Sequence, residues 1–195
     1  MESIGFKEWS IVCEALGRGL QSIILRKGGI AEGREGFSFR HREFFLFPTH
    51  FHEQFEWVRK IDIRIPEACE GKIEIKYFVR VEETHVVTSW SIVEALEPFH
   101  VLQRDVVRER FEYDRAPGIH IALLRAFRLQ PVWIIGNEKR YGGCRSWVNL
   151  PEPPAKLVLQ PVLDDREHGN RRRAFDAVIY ANASASSSDF GAGSA

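Results

Sequence analysis

Between residues 72 and 81 every second position is apolar, with Ile73, Ile75, Tyr77 and Val79 in phase and Glu74 and Lys76 between them. A period of two belongs to a strand with one buried face, because successive side chains leave a pleated backbone on opposite sides. The spacing therefore predicts a half-buried strand, open to extension through Val86 and Val87, and a strand needs a sheet. Further runs supply one. Residues 22–25 and 44–47 read as short buried strands, the second stopped by Pro48. Residues 119–129 read as a long strand, 131–135 as a shorter one and 146–150 as another. Helical spacing lies between them. Phe6, Trp9, Cys13 and Leu16 recur as on one helix face, ended by Gly17 and Gly19. Short helices are expected at 52–60 and 91–96. Another is expected with Leu102, Val106 and Arg110 on one face, and Val107 and Phe111 beside them. The pattern predicts an α+β fold: a small barrel or curled, mainly antiparallel sheet flanked by helices.

The chain has 195 residues, of which 44% are hydrophobic, enough for one domain with a real core. That core is expected over residues 1–153, since Pro151, Pro153 and Pro154 mark a break. Residues 154–180 read as a C-terminal extension that can add an edge strand. Residues 181–195, almost only Ala, Ser and Gly, are expected to be a disordered tail. The 27 basic and 27 acidic residues cancel. A nucleic-acid role would therefore rest on a local basic patch and not on a whole-molecule field. Cys13, Cys69 and Cys144 are odd in number and form no Cys-x-x-Cys pair, which fits a reducing compartment and no zinc ribbon. No signal core or membrane span is visible, so the cytoplasm is expected and no membrane partner. No glycine-rich turn of the dinucleotide or P-loop kind is present, and no cofactor is expected.

Two resemblances add to this reading. Gly19 and Arg26 match the ends of a motif that opens ASCH domains, with Gln21 and Ile24 where that motif has lysine and glutamate. The stretch resembles that PUA-like superfamily. This implies a PUA-like curled antiparallel β-barrel whose cleft recognises RNA, DNA or a nucleotide, without a carried-over catalytic residue. Over a longer span four blocks stand out. They are Leu25-Arg26-Lys27-Gly28-Gly29-Ile30; Phe45-Leu46-Phe47-Pro48-Thr49 with His52; Pro98-Phe99-His100 with Val107-Arg108; and Tyr141-Gly142-Gly143-Cys144-Arg145-Ser146-Trp147-Val148. Together they resemble a bacterial domain-of-unknown-function family, the one numbered 1802. Its members sometimes sit beside Mrr-type restriction endonuclease domains. The resemblance thus implies a link to restriction or DNA defence and a restriction endonuclease component as partner.

The residues also suggest their own chemistry. Arg26 and Lys27 beside Gly28 and Gly29 can form an anion nest, or an exposed turn. His52, and Thr49 after the buried strand, can line a cleft. Tyr141 and Trp147 around a glycine turn can stack on a base, or belong to the core. Ser146 and Arg108 complete the expected ligand-binding set. Asp62 with Glu74 and Lys76 loosely matches a metal-dependent nuclease pattern, and opposite charges two apart are also ordinary on a sheet surface. Three readings follow: a DNA- or RNA-binding or nucleobase-binding module without turnover, which is preferred; a nuclease using Asp62, Glu74 and Lys76; and an interaction protein.

Overall fold

The computed structural model describes residues 2–27, 37–59, 62–63, 70–113 and 116–185. One seven-stranded mixed sheet organises them, in the order β2-β5-β4-β3-β1-β6, with β7 added to β5. In chain order the elements are β1 (Ile4–Trp9), α1 (Ser10–Gly17), β2 (Ile23–Arg26), β3 (Glu43–Thr49), β4 (Lys72–Val87), α2 (Trp90–Ala95), α3 (Arg104–Glu112), β5 (Ile119–Gly136), β6 (Trp147–Asn149), β7 (Val158–Pro161) and α4 (Asp165–Ala185). The α+β class and the single curled sheet agree with the sequence reading. All described pairings are antiparallel except β1 with β3. That parallel pair needs a crossover, which α1 and β2 provide.

The ladders do not close into a barrel. β2 ends the sheet on one side and β6 on the other. They approach each other, because Arg26 at the end of β2 donates from Nη2 to the Lys7 carbonyl (3.3 Å) and to Ser146 Oγ (3.4 Å) beside β6. With four and three residues, these end strands offer too little backbone for a ladder, and a side chain joins them instead.

Three local readings change. The apolar spacing through Phe6 and Trp9 belongs to a strand, β1, and only Ser10 onward is helical. Pairing with β3 and β6 on its two sides overrides the helical period. The in-phase set of β4 is split: Ile73 and Ile75 pack in one cluster, with Phe45 and Trp133, whereas Tyr77 and Val79 pack in the other, with Leu16 and Leu46. The change of face coincides with a register shift between Ile75 and Tyr77, where the partner of β4 jumps from Trp133 to Arg128, and an irregularity of this kind can swap the faces of a strand. The same irregularity lets β5 run unbroken through Pro131. That residue falls between Arg128 and Trp133, where pairing with β4 lapses, and its missing N–H breaks no β4 rung.

Beyond the proline-rich break, β7 pairs with β5 and α4 returns to the core. Phe175 of α4 is 0% exposed within the main cluster, and Ile179 packs one turn on. His168 meets Glu82 at 2.8 Å, Arg172 reaches Glu83 at 2.9 Å, and Arg171 donates to the Gly19 carbonyl at 3.0 Å. Arg171 and Arg172 of the basic cluster thus fasten a helix. α4 runs to Ala185, past the expected start of the tail at 181, and residues 186–195 lie outside the described residues. No described helix is long and apolar enough to cross a membrane.

Candidate functional site

The ends of β1 and β2, the outer turn of α3, the segment around Trp57 and the turn before β6 enclose a cavity of about 350 Å³. Its lining combines Arg26, Lys27 and Arg110 with Trp9, Trp57 and Tyr113, and Cys144 and Ser146 complete the rim. The cations are placed by the backbone. Lys27 Nζ donates to the carbonyls of Ala116 (2.7 Å) and Gly118 (3.0 Å). Arg110 Nη1 donates to the Leu25 carbonyl at 3.0 Å, and its guanidinium lies 4.4 Å from the centre of the Trp9 ring. Burial lowers the Arg110 pKa to about 10; nearby Glu8 opposes the shift and Arg26 adds to it. Arg110 therefore stays charged at neutral pH. Glu8, only 2% exposed, lies behind the cations; its Oε1 accepts from the Trp9 N–H at 2.9 Å and its Oε2 is 3.9 Å from Arg26 Nη1.

The aromatic wall is equally braced. Trp9, Phe51 and Trp57 form a mutual cluster with ring centres 5.0–5.1 Å apart. Gln54 ties it to α1, whose N-cap residue Trp9 makes no side-chain cap: Gln54 Oε1 accepts from Ser10 Oγ (3.0 Å) and the Ile11 N–H (3.2 Å), while its Nε2 donates to the Phe51 carbonyl. Gln103 holds Trp57 from the other side, donating its backbone N–H to the Trp57 carbonyl and its amide to those of Glu56 and Val58. Trp57 and Tyr113 remain 40% and 59% exposed at the cavity. Ring surface of that size, left open beside cations, suits stacking on a planar ligand.

Of the residues expected from sequence, Arg26, Lys27 and Ser146 come together in this cavity. Trp147 turns away, packing against Phe6, Phe44 and His41. Tyr141 is buried against Phe47 in the second cluster. Thr49 bonds the Glu8 carbonyl and lines a different cavity, and Arg108 lies on the surface between Glu112 and the Trp90 ring. Gly28, Gly29 and the His52 side chain lie outside the described residues. Trp9, Trp57, Arg110 and Tyr113 were not singled out. One clue was available for Arg110: a lone cation on a helix face it shares with Val106, beside Val107 and Phe111.

Another cavity, about 330 Å³, opens where β3 and β4 diverge past the Phe45–Phe78 pair. Lys76 sits there between Glu14 (3.4 Å) and Glu74 (3.3 Å), and Tyr77 donates its hydroxyl to Glu14. Burial, then the Glu14 charge, pushes the Tyr77 phenol well up, so it stays protonated. Asp62 does not line this cavity. Among the described residues no three His, Cys, Asp or Glu side chains are grouped to hold a metal. Asp62 is thus not brought to Glu74 and Lys76 in this cavity.

His100, 2% exposed, is depressed to about 3 by burial and by the charges of Arg59 and Arg110. An unfolded histidine titrates near 6.5. Below that pH the unfolded chain binds a proton that the native chain refuses. This contribution is fully present above about pH 6.5 and is lost as pH falls toward 3. Between pH 7 and 5 the loss should be about 2 kcal/mol. Urea midpoints at the two pH values, compared with those of His100→Leu, check this; an equal pH dependence in both proteins would remove His100 as its source.

A family profile described as Domain of unknown function (DUF1802) matches residues 5–174. No curated protein matches the chain. Two solved structures are similar: a point mutant of the ASCH protein of Zymomonas mobilis, with 12% identity and a TM-score of 0.44 over 87% of this chain and 94% of that one; and ASCH from Zymomonas mobilis, with 13% identity and a TM-score of 0.42 over 87% and 93%. The profile spans most of the chain, across the sheet and into α4, and on that match the protein belongs to the DUF1802 family.

Proposed function

We propose that this chain is a nucleic-acid-binding module that takes an unpaired base of DNA or RNA into the cavity between Trp57 and Tyr113. The observation that carries the reading is the convergence of three cations and three aromatic rings on one cleft of about 350 Å³, in a protein whose overall charge is zero. That volume lies at the small end of ligand sites, roughly 300–1,000 Å³, and suits one nucleotide rather than a duplex. Stacking accepts any base, so the module reads an unpaired strand more than a sequence. No turnover is assigned. From the family resemblance we further propose a restriction endonuclease component as partner, and a cytoplasmic setting.

The test is titration of the intrinsic tryptophan fluorescence with single-stranded and duplex oligonucleotides at several salt concentrations. Single strands should bind with a shallow log–log salt slope of about −1, as one or two phosphate contacts require. Equal affinity for duplex and single strand, or no binding of either, would overturn the proposal.

A further inference from the structure

We propose that the floor of this cleft is a dedicated phosphate site, in which Arg26 and Arg110 grip one phosphate group of the bound nucleotide while Glu8 spaces the two guanidiniums. The inference rests on the nucleotide reading above and deepens it. The charge arrangement carries it. Two guanidiniums line the cavity near a single buried carboxylate, Glu8, and Arg26 forms an ion pair with it at 3.9 Å. Among the described residues, Arg26, Lys27 and Arg110 at the cavity face Glu8 and Glu109, an excess of one positive charge in a partly desolvated space. Such a surplus is costly unless an anion joins it.

Donor geometry points the same way. A guanidinium has five N–H donors, and two arginines forking onto one phosphate is a preferred arrangement. The hydrogen bonds of Arg26 to protein are both on Nη2, and that of Arg110 is on Nη1. Among the described residues, Arg26 Nη1 lies 3.9 Å from Glu8, and both side chains line the cavity, where Arg110 Nη2 and Nε carry no described hydrogen bond. Arg110 is moreover fixed face-on to Trp9 and pinned to β2, so little freedom is lost on binding. Lys27 has a different task from the one its sequence position suggests. Its ammonium already bonds two carbonyls, which makes it a brace at the rim.

The experiment uses the full chain and four probes: inorganic phosphate, a nucleoside, the matching nucleoside 5′-monophosphate and a single-stranded oligonucleotide, each titrated by calorimetry. The monophosphate should bind at least about tenfold more tightly than the nucleoside, the effect of one or two charged hydrogen bonds. Arg110→Gln should collapse that ratio toward one, and Arg110→Lys, which keeps the charge but not the fork, should restore only part of it. Thermal melts confirm that each variant is folded. If either variant does not fold, the nucleoside-to-monophosphate ratio of the parent protein decides alone. Equal affinity for nucleoside and monophosphate would overturn the phosphate site and leave base binding standing. Binding of inorganic phosphate, abolished by Arg110→Gln, without any oligonucleotide binding would sustain the site and sink the nucleic-acid reading. Silence from all four probes would sink both.

Discussion

Replacing Trp57 and Tyr113 together by alanine should weaken single-strand binding by about 10- to 1,000-fold, with little change in fold. Each base–aromatic stack is worth roughly 1–3 kcal/mol by alanine substitution, and the two rings would share one base. Tyr113 is the cleaner of the pair, because it is more than half exposed and its removal leaves no cavity. Trp57 also touches Trp9 and Phe51, so its loss carries some stability cost. Binding and melting temperature must therefore be measured on both single variants as well as the double. The expected pattern is a loss of affinity in Tyr113→Ala with a melting temperature within about 2 °C of the parent. Unchanged affinity in a folded double variant would show that the exposed rings serve something other than a base.

Phe175→Ala should cost about 3–5 kcal/mol, the usual range for emptying a fully buried phenylalanine site. For a chain of this size that corresponds to a fall of roughly 6–20 °C in melting temperature. The side chain has no exposed surface and packs edge-on to Phe99, so the neighbours have few ways to fill the gap. The contrast is truncation before residue 186, which should leave the melting temperature within error, as the composition of the tail implies. The two results together locate the functional end of the domain: a large fall in the first and none in the second places it within α4, not at the prolines near 153. A melting temperature unmoved by Phe175→Ala would mean that α4 is only loosely applied to the sheet.

The strands announced themselves in the sequence wherever packing is local. The alternation of β4, kept on either side of its register shift, and the β-branched run of β2 come from side chains packing on a pleat, and that period survives in a string of letters. α4 left no such trace. Its inward set is little more than His168, Phe175 and Ile179, and it is anchored through acids on β4, Glu82 and Glu83, some 85 to 90 residues away in sequence. A helix stabilised by distant partners has no strong period of its own. β1 was hidden for a related reason: its apolar spacing runs without a break into α1, and only the neighbours β3 and β6 decide where extension ends. The candidate site divides along the same line. Arg26 and Lys27 were legible because a cation at the end of a buried strand has to face outward. Trp9, Trp57 and the pair Arg110 and Tyr113, one helical turn apart at the end of α3, come from three separate stretches, and nothing in any one of them says that the others are near.

The join made by Arg26 has a wider meaning. The same guanidinium that lines the cleft also ties the Lys7 carbonyl and Ser146 to the end of β2. The cleft is thus cut into the seam of the sheet, where its first and last members in the pairing order meet without a ladder. Architecture and recognition share one fastener. A ligand gripping that arginine bears on how far the sheet is drawn shut, and a change in β2 or β6 that loosens the seam reshapes the mouth of the cleft. In a fold laced shut by backbone rungs these two properties could drift apart; here they are bound to change together.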